Sequence, residues 1–268
     1  MQTGNLYIVA TPIGNLGDFS ARAVETLKNA DIIACEDTRV TQKLLNHFDI
    51  STKTISYHKF SEKERTLKLL ELLKQGKNVA LVSDAGTPLI SDPGSILVKE
   101  AKNEKIKVIP IPGCCAAITA LSAIYNDGVF AFMGFFPQKN AQAIKALSYS
   151  KDFNLVFYDS PNRIIKTLKF IKENLGEVNI SVAKELTKIH EDINTFEISE
   201  MIKYLENTVI KGEFVFVVHQ KDTKEEIDYT DDMKKLLKEG FSAKDVSKII
   251  STLFDVPKNE VYKKISKL

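Results

Sequence analysis

Short apolar runs alternate with amphipathic stretches along most of the chain. Leu6 to Ala10 (LYIVA) reads as a buried strand and stops at the turn-rich Thr11-Pro12-Ile13-Gly14-Asn15. Ser20 opens a helical pattern with Ala23, Leu27 and Ala30 on one face, and Asp31 leads into a second strand, IIAC. Thr38 to Phe48 reads as a helix. Glu62 to Lys74 is a clearer one through Leu67, Leu70 and Leu73, ended by Gly76. Val79 to Val82 is a strand, Pro93 to Asn103 a helix, Val108 to Ile111 a strand and Cys114 to Ile124 a helix. Such alternation predicts a parallel α/β sheet. The second half continues with strands at Phe130 to Phe136, Asn154 to Tyr158, Ile180 to Ala183 and Glu213 to His219. Helices are expected at Ala141 to Leu147, Arg163 to Leu175 and Ser199 to Glu206, and the boundary between halves near Ala123 to Asp127.

The end of the chain has a different character. Residues 222 to 232 carry six acids and one Lys and read as a solvated linker. Residues 233 to 268 carry nine Lys and four acids, a net of +5. Three short helices fit there, one around Met233, Leu236 and Leu237. The second follows the capping pattern Ser242-x-x-Asp245 and carries Val246, Ile249, Ile250 and Leu253. The third begins at Pro257 and carries Val261, Ile265 and Leu268. Helix, turn with Gly240, helix, turn, helix is a helix-turn-helix-like order, and its lysines suit a phosphate backbone.

Composition changes this picture little. With 268 residues, 44% hydrophobic and 27% charged, the chain is long enough for a substantial core. The net charge of +2 does not mark a nucleic-acid binder. Cys35, Cys114 and Cys115 form no C-x-x-C pair, which predicts neither a disulfide framework nor a metal site and suits a reducing compartment. No leader or membrane span is read, so a cytoplasmic protein is expected. Arginine is scarce: Arg22, Arg39, Arg65 and Arg163 stand among 37 basic residues, so each is a candidate for a position that needs a planar fork, with chance as the rival reading.

Three loops follow strands and are rich in Gly, Pro or small residues: Thr11 to Asp18, Ser83 to Gly94 and Pro112 to Ala117. Ligands of open α/β sheets bind outside the carboxyl ends of strands, and small residues there let a ligand approach the backbone. Neither G-x-G-x-x-G nor a Walker sequence occurs, so a nucleoside-like ligand other than a dinucleotide or triphosphate is expected. Three strands end in ionisable groups: Glu36-Asp37-Thr38-Arg39, Asp159-Ser160-Pro161-Asn162-Arg163, and Lys184-Glu185 running to His190-Glu191. Structural ion pairing is the rival reading for each. His58 and His190 are available bases, and no hydrolase or metal-ligand motif appears.

The run VATPIGNLGDFSARAVETLKNADIIACEDTR (9 to 39) closely resembles the opening of the ribosomal RNA small subunit methyltransferase I family, within the tetrapyrrole methylase superfamily. SDAGTPLISDPG (83 to 94), IPGCCAA (111 to 117), FMGFFPQK (132 to 139), YDSPNRI (158 to 164), KELTKIHE (184 to 191) and GEFVFVV (212 to 218) resemble further family segments in the same order.

The resemblance implies two α/β domains, 1–123 and 124–221, with the cofactor in the cleft between them, the acidic linker 222–232 and a helical RNA-binding module at 233–268. It implies S-adenosyl-L-methionine as donor, no metal, and 2′-O-methylation of a cytidine in 16S rRNA near the decoding centre by a cytoplasmic homodimer. Donor contacts fall on Pro12, Ala85, Gly86, Thr87, Ile90, Cys115, Ala116 and Asp159. Relatives usually carry Thr where Cys115 stands, and often an apolar Met where Asp159 stands. Asp37, Lys184 and Glu185 are the expected proton-handling residues, with Arg39 and Arg163 for substrate phosphate. The chain's T-P-I-G-N-L-G-D replaces the G-x-G-P-G-D of tetrapyrrole enzymes and disfavours methylation of a porphyrin or other small molecule. A non-catalytic ribosome-binding protein is disfavoured by the intact small-residue loops.

Overall fold

The computed structural model describes residues 3–59, 61–124, 128–220, 229–254 and 256–266. The chain divides into two compact units, residues 1–221 and 222–268. The first unit holds two five-stranded sheets. The first sheet has the order β3-β2-β4-β1-β5, with β1 at Leu6–Val9, β2 at Ile32–Cys35, β3 at Thr54–Ser56, β4 at Val79–Val82 and β5 at Val108–Ile111. All its pairings are parallel, so every strand ends on the same edge. Its central strands β1, β2 and β4 are covered on both faces. Leu6, Val79 and Leu81 pack into one apolar cluster, and Val9, Ala80 and Val82 into another, the period of two expected of a strand.

The intervening helices are α1 (Ala21–Asn29), α2 (Thr38–His47), α3 (Glu62–Lys74), α4 (Ser95–Asn103) and α5 (Ala116–Ala123). Ser20 caps α1 by accepting from the Ala23 amide at 3.1 Å. Asp37 caps α2 through the Arg39 amide at 2.8 Å.

The second sheet has the order β6-β7-β10-β8-β9, with β6 at Phe130–Phe135, β7 at Asn154–Asp159, β8 at Asn179–Lys184, β9 at Asp192–Glu197 and β10 at Phe214–Val218. Only β6 and β7 run parallel; the other pairings are antiparallel. The parallel expectation therefore holds for the first half and fails for the second. The reason is β9, which the sequence reading missed. It is a half-exposed edge strand of mixed character (DINTFE) that returns from β8 as a hairpin. The three-residue edge strand β3 was missed for the same lack of an apolar run.

Central strand β10 shows how one apolar run serves two layers. Phe214, Phe216 and Val218 face a core built with α6 (Asn140–Leu147), α7 (Ile164–Leu175) and α8 (Ile198–Glu206). Val215 and Val217 face the opposite way, into a cluster with Ile13, Ala117, Ala120 and Leu186. That cluster joins the two sheets through α5. The expected boundary between the halves falls partly on residues 125–127, outside the described residues.

In the second unit, α9 (Thr230–Lys238), α10 (Ala243–Phe254) and α11 (Lys258–Ile265) surround Tyr229, Met233, Val246, Ile250 and Val261. The Ser242 hydroxyl accepts from the Asp245 amide at 3.2 Å, as the capping pattern predicts. Helix α9 starts within the expected linker, of which 222–228 lie outside the described residues. So does Leu268.

Candidate active site

The first-sheet loops converge because their strands are parallel. Thr11 and Gly86 exchange backbone hydrogen bonds, 2.9 Å from the Thr11 amide and 3.1 Å from the Gly86 amide. The Thr11 hydroxyl adds a bond to the Ser83 carbonyl at 3.2 Å, and the Thr87 hydroxyl donates to the Cys114 carbonyl at 2.8 Å. Gly86 sits at φ +82°, a conformation that glycine adopts without strain. The same loop holds Leu89 at φ 72° and Ser91 at φ 70°, left-handed backbone that costs energy for side-chain-bearing residues and clusters at functional sites. Glu62, at the start of α3, secures the far end of this loop by accepting from the Gly94 amide at 3.0 Å and the Tyr57 hydroxyl at 3.2 Å.

These loops form one wall of a cleft of about 660 Å³; residues of β7 and β10 form the other. Ala85, Gly86, Thr87, Ile90, Cys115, Ala116 and Asp159 all line it, so the structure brings together seven residues of the expected donor set. Pro12 does not. It is buried, and borders a separate depression with Val40 and Ser83, while its neighbour Ile13 faces the cleft. Cys115 precedes α5, and its sulfur lies 4.0 Å from the Tyr158 hydroxyl.

Asp159 contributes no free carboxylate. Its buried side chain accepts from the Ser160 amide at 2.8 Å, Arg163 Nε at 2.8 Å and the Thr167 hydroxyl at 2.5 Å. Strand alternation is the cause, since Tyr158 takes the cleft side and Asp159 turns towards α7.

The expected proton-handling residues are each occupied elsewhere. Asp37 caps α2 and grips Arg39 with both oxygens, which lowers its pKa to about 2, too acidic for a base at neutral pH. Lys184 is buried at the end of β8 against Asp192 at 3.2 Å. Glu185, at φ 53°, holds Lys188 at 2.8 Å, and that cation lowers its pKa. None of the three lines the cleft. The two arginines also part company. Arg39 lies on the exposed face of α2, 87% exposed, away from the cleft. Arg163 is half-buried, with its fork on Asp159 and on the Phe136 carbonyl at 2.8 Å.

The structure adds residues that the sequence reading passed over. Asp92 lines the cleft, and burial, then the nearby charges of Glu36, Asp84 and Glu213, push its pKa up to about 6. Burial also raises Glu36 and Asp84. The signal for Asp92 was present in its motif, a carboxylate just before Pro93-Gly94 in a strand-end loop. Tyr158 accepts from the Ala117 amide at 3.2 Å, tying β7 to the first turn of α5. Ser91, Phe135, Glu213, Phe214 and Val215 complete the lining. Among the described residues no group of His, Cys, Asp and Glu could hold a metal. No helix there is long and apolar enough to cross a membrane.

Comparison with known proteins fits this architecture. The profile of the tetrapyrrole (corrin/porphyrin) methylases matches residues 5–202. Ribosomal RNA small subunit methyltransferase I of Halalkalibacterium halodurans is 42% identical, over 97% of this chain and 93% of the relative. The Bacillus subtilis protein of that name is 40% identical, with the same coverage. The chain belongs to the ribosomal RNA small subunit methyltransferase I family of the tetrapyrrole methylases. As a member of that family it is a methyltransferase. Solved structures share the fold at low identity. Diphthine synthase superposes with a TM-score of 0.62 at 16% identity, covering 81% of this chain and 90% of that one. Uroporphyrin-III C-methyltransferase from Thermus thermophilus, complexed with S-adenyl homocysteine, gives 0.57 at 14% identity, covering 80% and 97%.

Proposed function

We propose that this methyltransferase uses S-adenosyl-L-methionine to methylate the ribose 2′-hydroxyl of a cytidine in 16S rRNA, near the decoding centre of the small subunit. In this reading it works in the cytoplasm as a homodimer. The observation that carries the reading is the near-full-length likeness to ribosomal RNA small subunit methyltransferase I, joined to a well-formed cleft at the carboxyl ends of the first-sheet strands.

The cleft's chemistry fits a donor that carries a sulfonium and an ammonium group. Ile13, Ile90 and Val215 give it apolar walls, and the small side chains of Ala85, Gly86 and Ala116 leave room for a ligand, while the Gly86 amide and carbonyl are taken up by Thr11. Asp92 and Glu213 supply negative charge, while the charge of Asp159 is balanced by Arg163. When bound, S-adenosylmethionine supplies an activated methyl group. The protein must then exclude water, align the ribose hydroxyl and receive its proton. We assign that proton to the Asp92 carboxylate, which faces the cleft with a pKa nearer neutrality than an exposed carboxyl. Asp37, Lys184 and Glu185 hold the loops and turns around the site. Of the two arginines, we assign Arg163 to substrate phosphate, since it borders the path out of the cleft and Arg39 does not.

The test is incubation of the purified protein with methyl-labelled donor and either small subunits or uroporphyrinogen. Alkaline cleavage of RNA needs a free 2′-hydroxyl, so ribose methylation creates one alkali-resistant linkage. We expect label in the RNA, at a resistant linkage 3′ of a cytidine. Label in the tetrapyrrole and none in RNA would establish the small-molecule alternative.

A further inference from the structure

We propose that a groove leading out of the cleft, past Phe135 to Lys166, seats a nucleotide adjoining the methylated ribose. Its base lies on the Phe135 ring, and its phosphate lies between Arg163 and Lys166. This rests on the RNA reading above and specifies where the strand leaves the site.

Three cavities run together. The donor cleft shares Phe135 and Asp159 with a second cavity of about 510 Å³. That cavity shares Phe136, Gln138 and Arg163 with a third of about 810 Å³, bordered by Lys166 and Phe170. The substrate ribose is part of a chain, so its neighbours need a path from the reacting position. This groove opens directly from it.

Backbone irregularity aims the aromatic. The pairing of β6 with β7 shifts register between Phe132 and Phe135, with Gly134 at φ 73°. A bulge of this kind turns the following side chain outward. Phe135 is 60% exposed, although it ends a strand of a packed sheet. Its ring makes a T-shaped contact with Tyr158, centroids 5.6 Å apart, which steadies it while most of the side chain stays exposed. Unpaired bases of single-stranded RNA stack on such rings.

Charge follows the same path. Asp159 and Arg163 cancel, but the guanidinium is held rigidly by Asp159 and the Phe136 carbonyl and remains 29% exposed. Lys166, one helical turn further along α7, is exposed and pairs with no carboxylate among the described residues. Ring, amide (Gln138), oriented guanidinium and free ammonium in succession match base, sugar edge and phosphate.

The test uses the full chain and its Phe135→Ala, Phe135→Trp and Lys166→Ala variants. Binding of a single-stranded RNA heptamer with a central cytidine is measured against salt, beside methylation of small subunits. Stacking is worth about 1–3 kcal/mol per base, so Phe135→Ala should weaken binding roughly five- to hundredfold, and Phe135→Trp should retain it. Lys166→Ala should weaken binding, flatten the log-log salt slope by about 0.7, and leave affinity for S-adenosylhomocysteine unchanged. Wild-type affinity and slope in Lys166→Ala and Phe135→Ala, with a wild-type enzyme that methylates RNA, would overturn the groove and spare the reaction. If Phe135→Ala instead changes the sedimentation of the protein and not its RNA affinity, the face is a contact between copies, and the proposal fails. A wild-type protein that neither binds nor methylates RNA removes the RNA reading and the groove together.

Discussion

Asp92 joins two properties that pull against each other. Its carboxyl is raised to about 6, so between about pH 4 and pH 6 the folded protein keeps a proton that the unfolded chain has released. Stability therefore falls as pH rises through that window, and the ionised carboxylate is a standing cost at neutral pH. Asp92→Asn should remove the cost. We expect thermal denaturation at pH 7.5 to move up by about 2–4 °C, equivalent to about 1 kcal/mol once solvent screening of this partly exposed group is allowed for. Methylation should fall at least tenfold and lose the limb that rises through pH 6 in the wild type. A variant with unchanged activity at every pH would show that Asp92 takes no proton. The two arginines give a second contrast. Arg163→Lys breaks the fork that satisfies a buried carboxylate, costing roughly 1.5–3 kcal/mol, and should lower the melting temperature by several degrees. Arg39→Lys alters a pair on an exposed helix face and should leave the melting curve in place. Equal effects from the two would contradict their different burial. Sequence placed both in the same class, because each follows a strand; only packing separates them.

At the scale of elements, much of the fold was legible where one rule governed a segment. Val79 to Val82, Val108 to Ile111 and Glu62 to Lys74 have the expected limits, because apolar run, helical period and Gly76 agree. The pattern failed at β9, whose stability comes from pairing with β8 rather than from its own residues. The cleft loops were legible as small-residue loops after strands. Which side chains are free to act there was not, because strand alternation and long-range pairing decide it: Ile13 enters instead of Pro12, and Asp159 reaches the cleft wall with its carboxylate already held by Arg163 and Thr167. The Tyr158 hydroxyl accepts a hydrogen bond from the Ala117 amide and so ties β7 to α5, and it should hold these layers in register. Tyr158→Phe removes one hydrogen bond and should cost about 1 kcal/mol, a drop of about 2–4 °C in the melting temperature, with weaker binding of S-adenosylhomocysteine. An unchanged melting curve and unchanged affinity would mean that the apolar cluster around α5 is sufficient.

For the whole molecule, the methylase profile stops at residue 202, whereas the Lys-rich unit beyond residue 221 has its own core. Its charge of +5 over residues 233 to 268 suits an RNA backbone. Deleting residues 222–268 should weaken small-subunit binding and flatten its salt dependence by about 0.7–0.9 of a log-log unit per lost phosphate contact, with donor affinity kept. Equal loss of donor and RNA binding would make the unit a structural support. The methylated product itself is read by nucleoside mass spectrometry of small-subunit RNA from cells with and without this chain. One position in 16S rRNA should carry 2′-O-methylcytidine when the chain is present and an unmodified cytidine when it is absent. The same ribose methylation in both samples would contradict it.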